Sequence, residues 1–436
     1  MKQIQKLIIL GLVLSFTSLS CQKDLDPVLG DPDQRQREVL QAYETQLINA
    51  EYGWNGYIYT ELGGGYSFHM DFKEDGQVDM RGDLNQETVA EVQTSTWRLK
   101  SSQQSLLIFD TYSYIHWLSD PNTNIFDGEP GKGLMSDYEF AFLESTQDTL
   151  YFKGKLNQVD FYLIRSSKEE ADAWASGAVL EMETIIQQHR FAQDGENLKM
   201  MINPEKKTVR FDFQGGESLS LPYTYTHQGI NLKTGLQQGG YAFTEVIWDA
   251  QAATYAINSE GGKVSLDLAV APLFPLESLL GYGKEYDRLL FDGELLDPSL
   301  SSGLQARWAQ AKENNLLYMG PPIGRALLDY ALMEFLQNDQ VCIYFKYKHP
   351  VEGTLFTVRI WCKMERDSDN RIQFTYIKHD NNTLFNDAQI MRPFTEEFFA
   401  SLVFTLDWVE AGDAPYLVGG LIQTGDPADF FYGILQ

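Results

Sequence analysis

Residues 67–82 read SFHMDFKEDGQVDMRG, from Ser67 to Gly82, and the fold turns on how this stretch is taken. Phe68, Met70 and Phe72 alternate with His69 and Asp71, and beyond a polar break Val78 and Met80 alternate with Asp79 and Arg81. A period of two is the mark of a strand with one face in a core; a helix would repeat every three to four residues. Asp75-Gly76 lies between the two runs and supplies the positive φ that a tight turn requires, so the stretch reads as an antiparallel hairpin. Toward the C-terminus the same signature continues in STWRLK, SLLIFDTYSYIHW, DYEFAFLE, TLYFKGK and VDFYLIR, short runs of aromatic and branched residues parted by turn residues. Toward the N-terminus the period changes. Leu40, Tyr43, Leu47, Ala50 and Trp54 fall at three-four spacing, one apolar face of a helix that starts after Pro32.

The pattern then partly repeats. Ser167 and Glu170 have capping-box spacing and open a second helix carrying Trp174, Met182, Ile185 and His189. Strands resume in LKMMINPEKKTVRFDF, SLPYTYTH, INLKT and AFTEVIWD, with EVIWDA in the place that YIHWLSD holds in the first half. The span from Leu273 to Gly324 is rich in Gly, Pro and Ser, with MGPPIG as its clearest break. A third segment is expected to open with a helix over Arg325 to Leu336, followed by strands VCIYFKYKH, LFTVRIWCKM and RIQFTYIKH and a helix in TEEFFASLVF. The expected fold is therefore mainly β (α+β): antiparallel sheets with flanking helices, closing as lipocalin-like partial barrels in tandem, because consecutive strands joined by short turns pair with their neighbours. The units are expected at residues 34–166, 167–310 and 311–436, behind a leader (1–20) and a tether (21–33).

The leader carries an address. Lys2 and Lys6 precede an apolar run from Leu7 to Phe16, too short to span a bilayer, and small polar residues lead to Cys21 in SLSCQKDLDP. Cys21 stands where a bacterial lipobox puts its lipidated cysteine, although Ser18 occupies the place of the usual aliphatic residue. Acylation at Cys21 would hold the mature chain in a lipid bilayer without a transmembrane helix. The chain has 61 acidic against 34 basic residues, a formal charge of −27, which argues against nucleic acid as a partner. Aromatic residues at 13% point to a packed core rather than to disorder. Two cysteines remain, Cys342 and Cys362, on two adjacent expected strands. If the register sets them opposite each other they are placed to bridge; shifted by one residue, they lie on opposite faces and stay thiols.

Catalytic signatures are scarce. There is no Gly-x-Ser-x-Gly elbow and no GxxxxGK[ST] loop; His69, His116, His189, His227, His349 and His379 are scattered, with no metal-ligand spacing. No cofactor is expected. DPNTNIFDGEPG sets Asp120, Asn122 and Asn124 at alternate positions like the start of a calcium loop, but Ile125 replaces the turn glycine and Gly131 the bidentate glutamate, so a solvated loop is the better reading. As a strand, FDTYSYIHW would put Asp110, Tyr112, Tyr114 and His116 on one face, a surface suited to a sugar or peptide through ring stacking and polar tips. The plainer alternative is a half-buried strand with ordinary hydroxyl partners.

Four segments, GGGYSFHMDF, TWRLKSSQQSLLIFDTYSYIHWLSDP, GLMSDYEF and DTLYFKGK, together resemble the Bacteroidetes lipoproteins described as domain of unknown function 4302, most closely over Trp54 to Arg165. The resemblance implies an outer-membrane lipoprotein encoded near SusC/SusD-like uptake proteins, and brings no catalytic residues with it. In such bacteria, acids behind the lipidated cysteine accompany export to the outer face, and QKDLD is similar to that signal. The expectation is a surface-facing, non-enzymatic binding or accessory component of glycan or peptide uptake. The alternatives are a hydrolase using a carboxylate pair and a structural envelope protein.

Overall fold

The computed structural model describes residues 32–319, 327–348, 353, 355–380, 390–411 and 417–436; the leader and Cys21 lie outside them. Among these residues, twenty-four strands form three closed antiparallel barrels of eight, and within each barrel the strands follow chain order around the circle. The first runs from β1 (Trp54–Tyr59) through β2 (Gly65–Phe72) and β3 (Gln77–Gly82) to β8 (Asp160–Arg165), and closes by pairing Trp54 with Arg165 and Tyr59 with Asp160. The second takes β9 (Phe191–Asp194) to β16 (Gly262–Ala269), and the third β17 (Arg288–Asp292) to β24 (Phe430–Leu435). The helices are α1 (Pro32–Ile48), α2 (Gln86–Ala90), α3 (Tyr114–Trp117), α4 (Lys168–Ser176), α5 (Ala178–Gln188), α6 (Leu276–Leu279), α7 (Ser302–Met319) and α8 (Arg392–Phe394). The first barrel with α1 and α4 forms one compact unit, and the second and third barrels form another.

The hairpin read from the sequence is present. Phe68 pairs with Gly82, Met70 with Met80 and Phe72 with Val78, and Gly76 takes φ +77° in the connecting turn. The interior-facing residues of this period fill the barrel: Phe109, Phe140, Phe152 and Phe161 are buried and in ring contact, with Phe140 and Phe161 centroids 4.6 Å apart. Eight strands enclose just enough space for side chains, so the first barrel is a packed core and its outer surface and loops are what remain for function. The Ser167 capping box also forms, with Ser167 N–H donating to Glu170 Oε2 (2.7 Å) and Glu170 N–H to Ser167 Oγ (3.2 Å). The helix it opens breaks at Gly177, which sits in the left-handed region at φ +81°, giving α4 and α5.

One expectation fails, one holds in part, and one left open is decided. The helix expected over Arg325 to Leu336 is strand β18 (Leu327–Leu336). Its Leu, Ala, Met and Glu residues favour a helix, but Ala331, Met333 and Phe335 alternate into the third core and the strand is paired on both sides. The helix of this region lies earlier, as α7, inside the stretch that composition marked as irregular. The helix expected in TEEFFASLVF is present over its first half, as a π-helix from Thr395 to Phe399 directly after α8, and the chain then feeds strand β22 (Phe404–Trp408). Finally, β19 (Gln340–Lys348) and β20 (Leu355–Arg366) pair Cys342 with Trp361 and Cys362 with Val341. That one-residue offset puts the two sulfurs on opposite faces, and both are free thiols. Burial raises their pKa values, to about 12 for Cys342 and about 11 for Cys362, so neither has the thiolate character of a reactive cysteine. Among the described residues, no helix is long and apolar enough to cross a membrane.

Candidate functional site

The first barrel has one long connection, residues 110–138, between β5 (Ser105–Phe109) and β6 (Glu139–Ser145). The candidate strand face falls here, and the chain is no longer a strand. After Phe109 it leaves the sheet and winds into the single turn of α3. A helical turn separates residues that alternation would have aligned. Asp110 pairs with Arg98 on the barrel surface (2.7 Å). Tyr114 is buried, in edge contact with Trp117 and within 3.4 Å of the Glu91 carbonyl. Tyr112 and His116 do come together, and they are joined by a residue that sequence reasoning missed: the rings of Tyr112, His116 and Tyr138 form a stack with centroid spacings of 5.5 and 4.8 Å.

The middle of that stack is rigid. His116 is 8% exposed, and its Nδ1 accepts the Ser113 N–H (3.1 Å). Ser113 Oγ lies 3.3 Å from the same nitrogen. Nδ1 is thus held by Ser113 and the ring is packed between two tyrosines, which makes the imidazole a support for the stack. Burial holds its pKa below the ordinary histidine value, and the same cause lowers His69, whose Nε2 lies 2.9 Å from the Tyr52 carbonyl. Both folded pKa values lie below the unfolded value, so the unfolded chain binds protons first as pH falls. The associated stability is fully present above about pH 6.5 and is lost as pH falls through the folded values. The denaturation midpoint of the first unit is accordingly expected to drop between about pH 7 and pH 5, and to drop less in His116→Gln. A pH-independent midpoint, or an unchanged profile in His116→Gln, would contradict this.

Tyr112 donates to Asp120; burial and then this bond push the tyrosine up to about 12, while the bond lowers Asp120. The calcium-like run is a chain of side-chain turns: Asp120 accepts from Asn122 N–H (2.9 Å) and Asn122 from Asn124 N–H (3.1 Å). Asp and Asn stand at alternate positions because each folds back on its own backbone. Among the described residues no group of His, Cys, Asp and Glu is placed to hold a metal ion.

Beside the stack lies a cleft of about 640 Å³, walled by Ser119, Pro121, Lys132 and Met135–Glu139 on one side and Lys155–Asn157 on the other. Tyr138, 43% exposed, presents its ring with His116 behind it, and Leu156 projects at the rim. Asp137 builds the opposite wall: its carboxylate accepts Leu156 N–H (2.7 Å) and Asn157 N–H (3.0 Å). Lys155 pairs with Glu139 and Lys132 with Glu129, each at 2.7 Å. The arrangement offers one stiffened aromatic platform, an apolar rim and paired charges. The signal that could have located it is the loop length, since long connections in a short-turn barrel tend to carry function.

No curated protein matches this chain. A solved structure titled "Crystal structure of lipopolysaccharide binding protein" aligns over 92% of this chain and 95% of its own at 9% identity, with a TM-score of 0.12, which carries no argument. The family model described as "Domain of unknown function (DUF4302)" matches residues 30–250, half of the chain, and spans the first barrel with its cleft and most of the second. The chain belongs to this family of proteins with domain of unknown function 4302.

Proposed function

We propose that the protein is a lipoprotein of the bacterial outer membrane, anchored through acylated Cys21 and facing outward, whose first barrel holds a glycan or peptide for an uptake system of the SusC/SusD kind. The observation that carries this reading is the exposed Tyr138 ring, backed by buried His116 at the edge of the 640 Å³ cleft. A ring fixed from behind binds the apolar face of a sugar or a peptide side chain at little ordering cost, and Asn157, Lys155 and Glu139 are within the same walls to orient polar groups. The cleft's carboxylates favour holding over hydrolysis. Asp137 is occupied by two backbone amides and Glu139 by Lys155, whereas a glycosidase pair needs an acid and a base free to exchange protons.

The test is a screen of the chain from Gln22 to Gln436, which keeps every described element, against glycan and peptide libraries. Binding is expected, and Tyr138→Ala is expected to weaken it by a factor of about thirty or more, since truncating a central aromatic anchor typically costs about 2 kcal/mol or more. No binding to either library, or equal binding by the variant, would reject the reading.

A further inference from the structure

A second cleft, of about 410 Å³, lies in the other unit, where the segment that contains α6 passes over β11 (Thr208–Phe213) and β12 (Ser218–Thr226) of the second barrel. It is independent of Tyr138 and its neighbours, and its chemistry is opposite to that of the chain as a whole. In a protein of formal charge −27, this cleft gathers Lys206, Arg210 and Lys284 together with the hydroxyl residues Thr208, Ser218 and Ser220. Arg366, at the end of β20, acts on Lys284 as a further positive charge.

The acids nearby are mostly occupied. Glu285 accepts from Thr208 Oγ1 (3.0 Å) and Ser220 Oγ (2.6 Å), pinning the segment to the barrel. Asp212 holds Arg210 through two bonds (2.8 and 3.2 Å), and Arg210 in turn donates to the Ser278 carbonyl (3.1 Å). The cleft is thus preformed by polar contacts on both sides. Lys284 is left with one contact, to the Glu277 carbonyl, and neither it nor Arg366 has a carboxylate in ion-pair contact among the described residues. Lys206 lies 3.9 Å from Asp287. Burial, followed by the charges of Arg366 and, more weakly, Arg210, holds the Lys284 ammonium below the ordinary lysine range, against the pull of Glu277. Burial lowers Arg366 too, against the pull of Glu277 and Asp339. Lys284 and Lys206 line the same cleft with donors to spare, and a cleft with this lining favours an anion.

We propose that this cleft binds a tetrahedral oxyanion, a phosphate or sulfate group, with Lys284 and Lys206, which both line it, as its charged partners and Ser218 at its edge. The group neutralises two like charges, and because Glu285 and Arg210 already fix the walls, little ordering is required on binding.

The test uses the chain from Gln22 to Gln436 with two probes: inorganic phosphate followed by calorimetry, and sedimentation with phosphatidylcholine vesicles containing phosphatidylglycerol. Wild type is expected to bind phosphate with an affinity that falls as salt rises. Lys284→Gln and Lys206→Gln, each folded by circular dichroism, are expected to bind about tenfold more weakly, one charge-assisted contact being lost. Binding confined to the vesicles, with the same tenfold loss in both variants, assigns the oxyanion to a lipid headgroup. Binding of neither probe, or unchanged binding in both variants, overturns the proposal. Tyr138→Ala is expected to leave phosphate binding intact, so this site and the first cleft fail or stand separately.

Discussion

Arg307→Ala is expected to destabilise the third barrel by roughly 3 kcal/mol, the low end for breaking a buried pair because the two side chains keep a little solvent contact. Arg307 projects from α7 and makes a bidentate ion pair with Asp429, the residue before β24; the two side chains are 19% and 11% exposed. The guanidinium also lies 4.3 Å from the Phe398 ring centroid. The surrounding contacts show why this pair has little freedom to relax. Ser301 Oγ accepts both the Leu304 N–H (3.2 Å) and the Phe430 N–H (3.0 Å), tying the first turn of α7 to the start of β24. At Gly303 an added Cβ would stand 1.9 Å from Asp429 Oδ1, so the carboxylate occupies space that only glycine leaves open. Removing Arg307 strands that carboxylate with its Coulomb partner gone. A loss of this size lowers the melting temperature by about 6 to 12 °C for a unit of this length. Replacing both partners, Arg307→Met with Asp429→Leu, is expected to cost less than Arg307→Ala alone, because no charge is left buried. Denaturant unfolding of both variants measures this. Arg307→Ala within about 0.5 kcal/mol of wild type, or a double variant worse than Arg307→Ala, would show that the pair does not lock the barrel.

That lock was not legible in the sequence, and the reason separates what could be read from what could not. Local signals were reliable wherever the competing forces were local too. Asp75-Gly76 marked a hairpin because φ is a property of one residue, and Ser167 with Glu170 marked a helix start because a capping box spans four. Barrel closure joins the first strand to the last, as Trp54 meets Arg165, and no local pattern encodes it. The same limit hid the pairing of Arg307 with Asp429, 122 positions apart. The residues of Arg325 to Leu336 favour a helix, yet Leu327 to Leu336 is a strand because two neighbours pair with it, tertiary pairing overriding propensity. The candidate site was half legible. The chemistry of Tyr112 and His116 marks them in the sequence and they do stack, but strand alternation does not carry across a segment where α3 abolishes it. Nothing local in GLMSDYEF shows that the Tyr138 ring meets a histidine 22 positions earlier.

Gly154→Ala is expected to cost about 2 to 4 kcal/mol and to abolish binding at the first cleft. Gly154 ends β7 (Thr149–Gly154), and a Cβ there would come within 2.0 Å of Asp137 Oδ2. The residue is outside the left-handed region, so the penalty is steric rather than conformational. Its target is backed by the turn behind it and cannot yield: Asp137 is 3% exposed and receives Leu156 N–H and Asn157 N–H, while Asn157 Nδ2 donates to the Ser136 carbonyl at 2.6 Å. A methyl group at 154 must push the carboxylate off both amides, leaving a buried charge and two unpaired donors. Each bond to a charged acceptor is worth about 1.5 to 3 kcal/mol. The same displacement carries Leu156 and Asn157 away from Tyr138, so the wall of the cleft goes with the clasp. Asp137→Asn preserves the shape and one acceptor oxygen, and is expected to lose only about 1 to 2 kcal/mol while keeping measurable binding. Hydrogen exchange reads the mechanism directly. Protection of the Leu156 and Asn157 amides should vanish in Gly154→Ala while that of Phe152, inside the barrel, persists. Full protection at both turn amides in Gly154→Ala, with stability within about 0.5 kcal/mol of wild type, would mean that Asp137 does not hold the wall and that the cleft owes its shape to the long 110–138 connection alone.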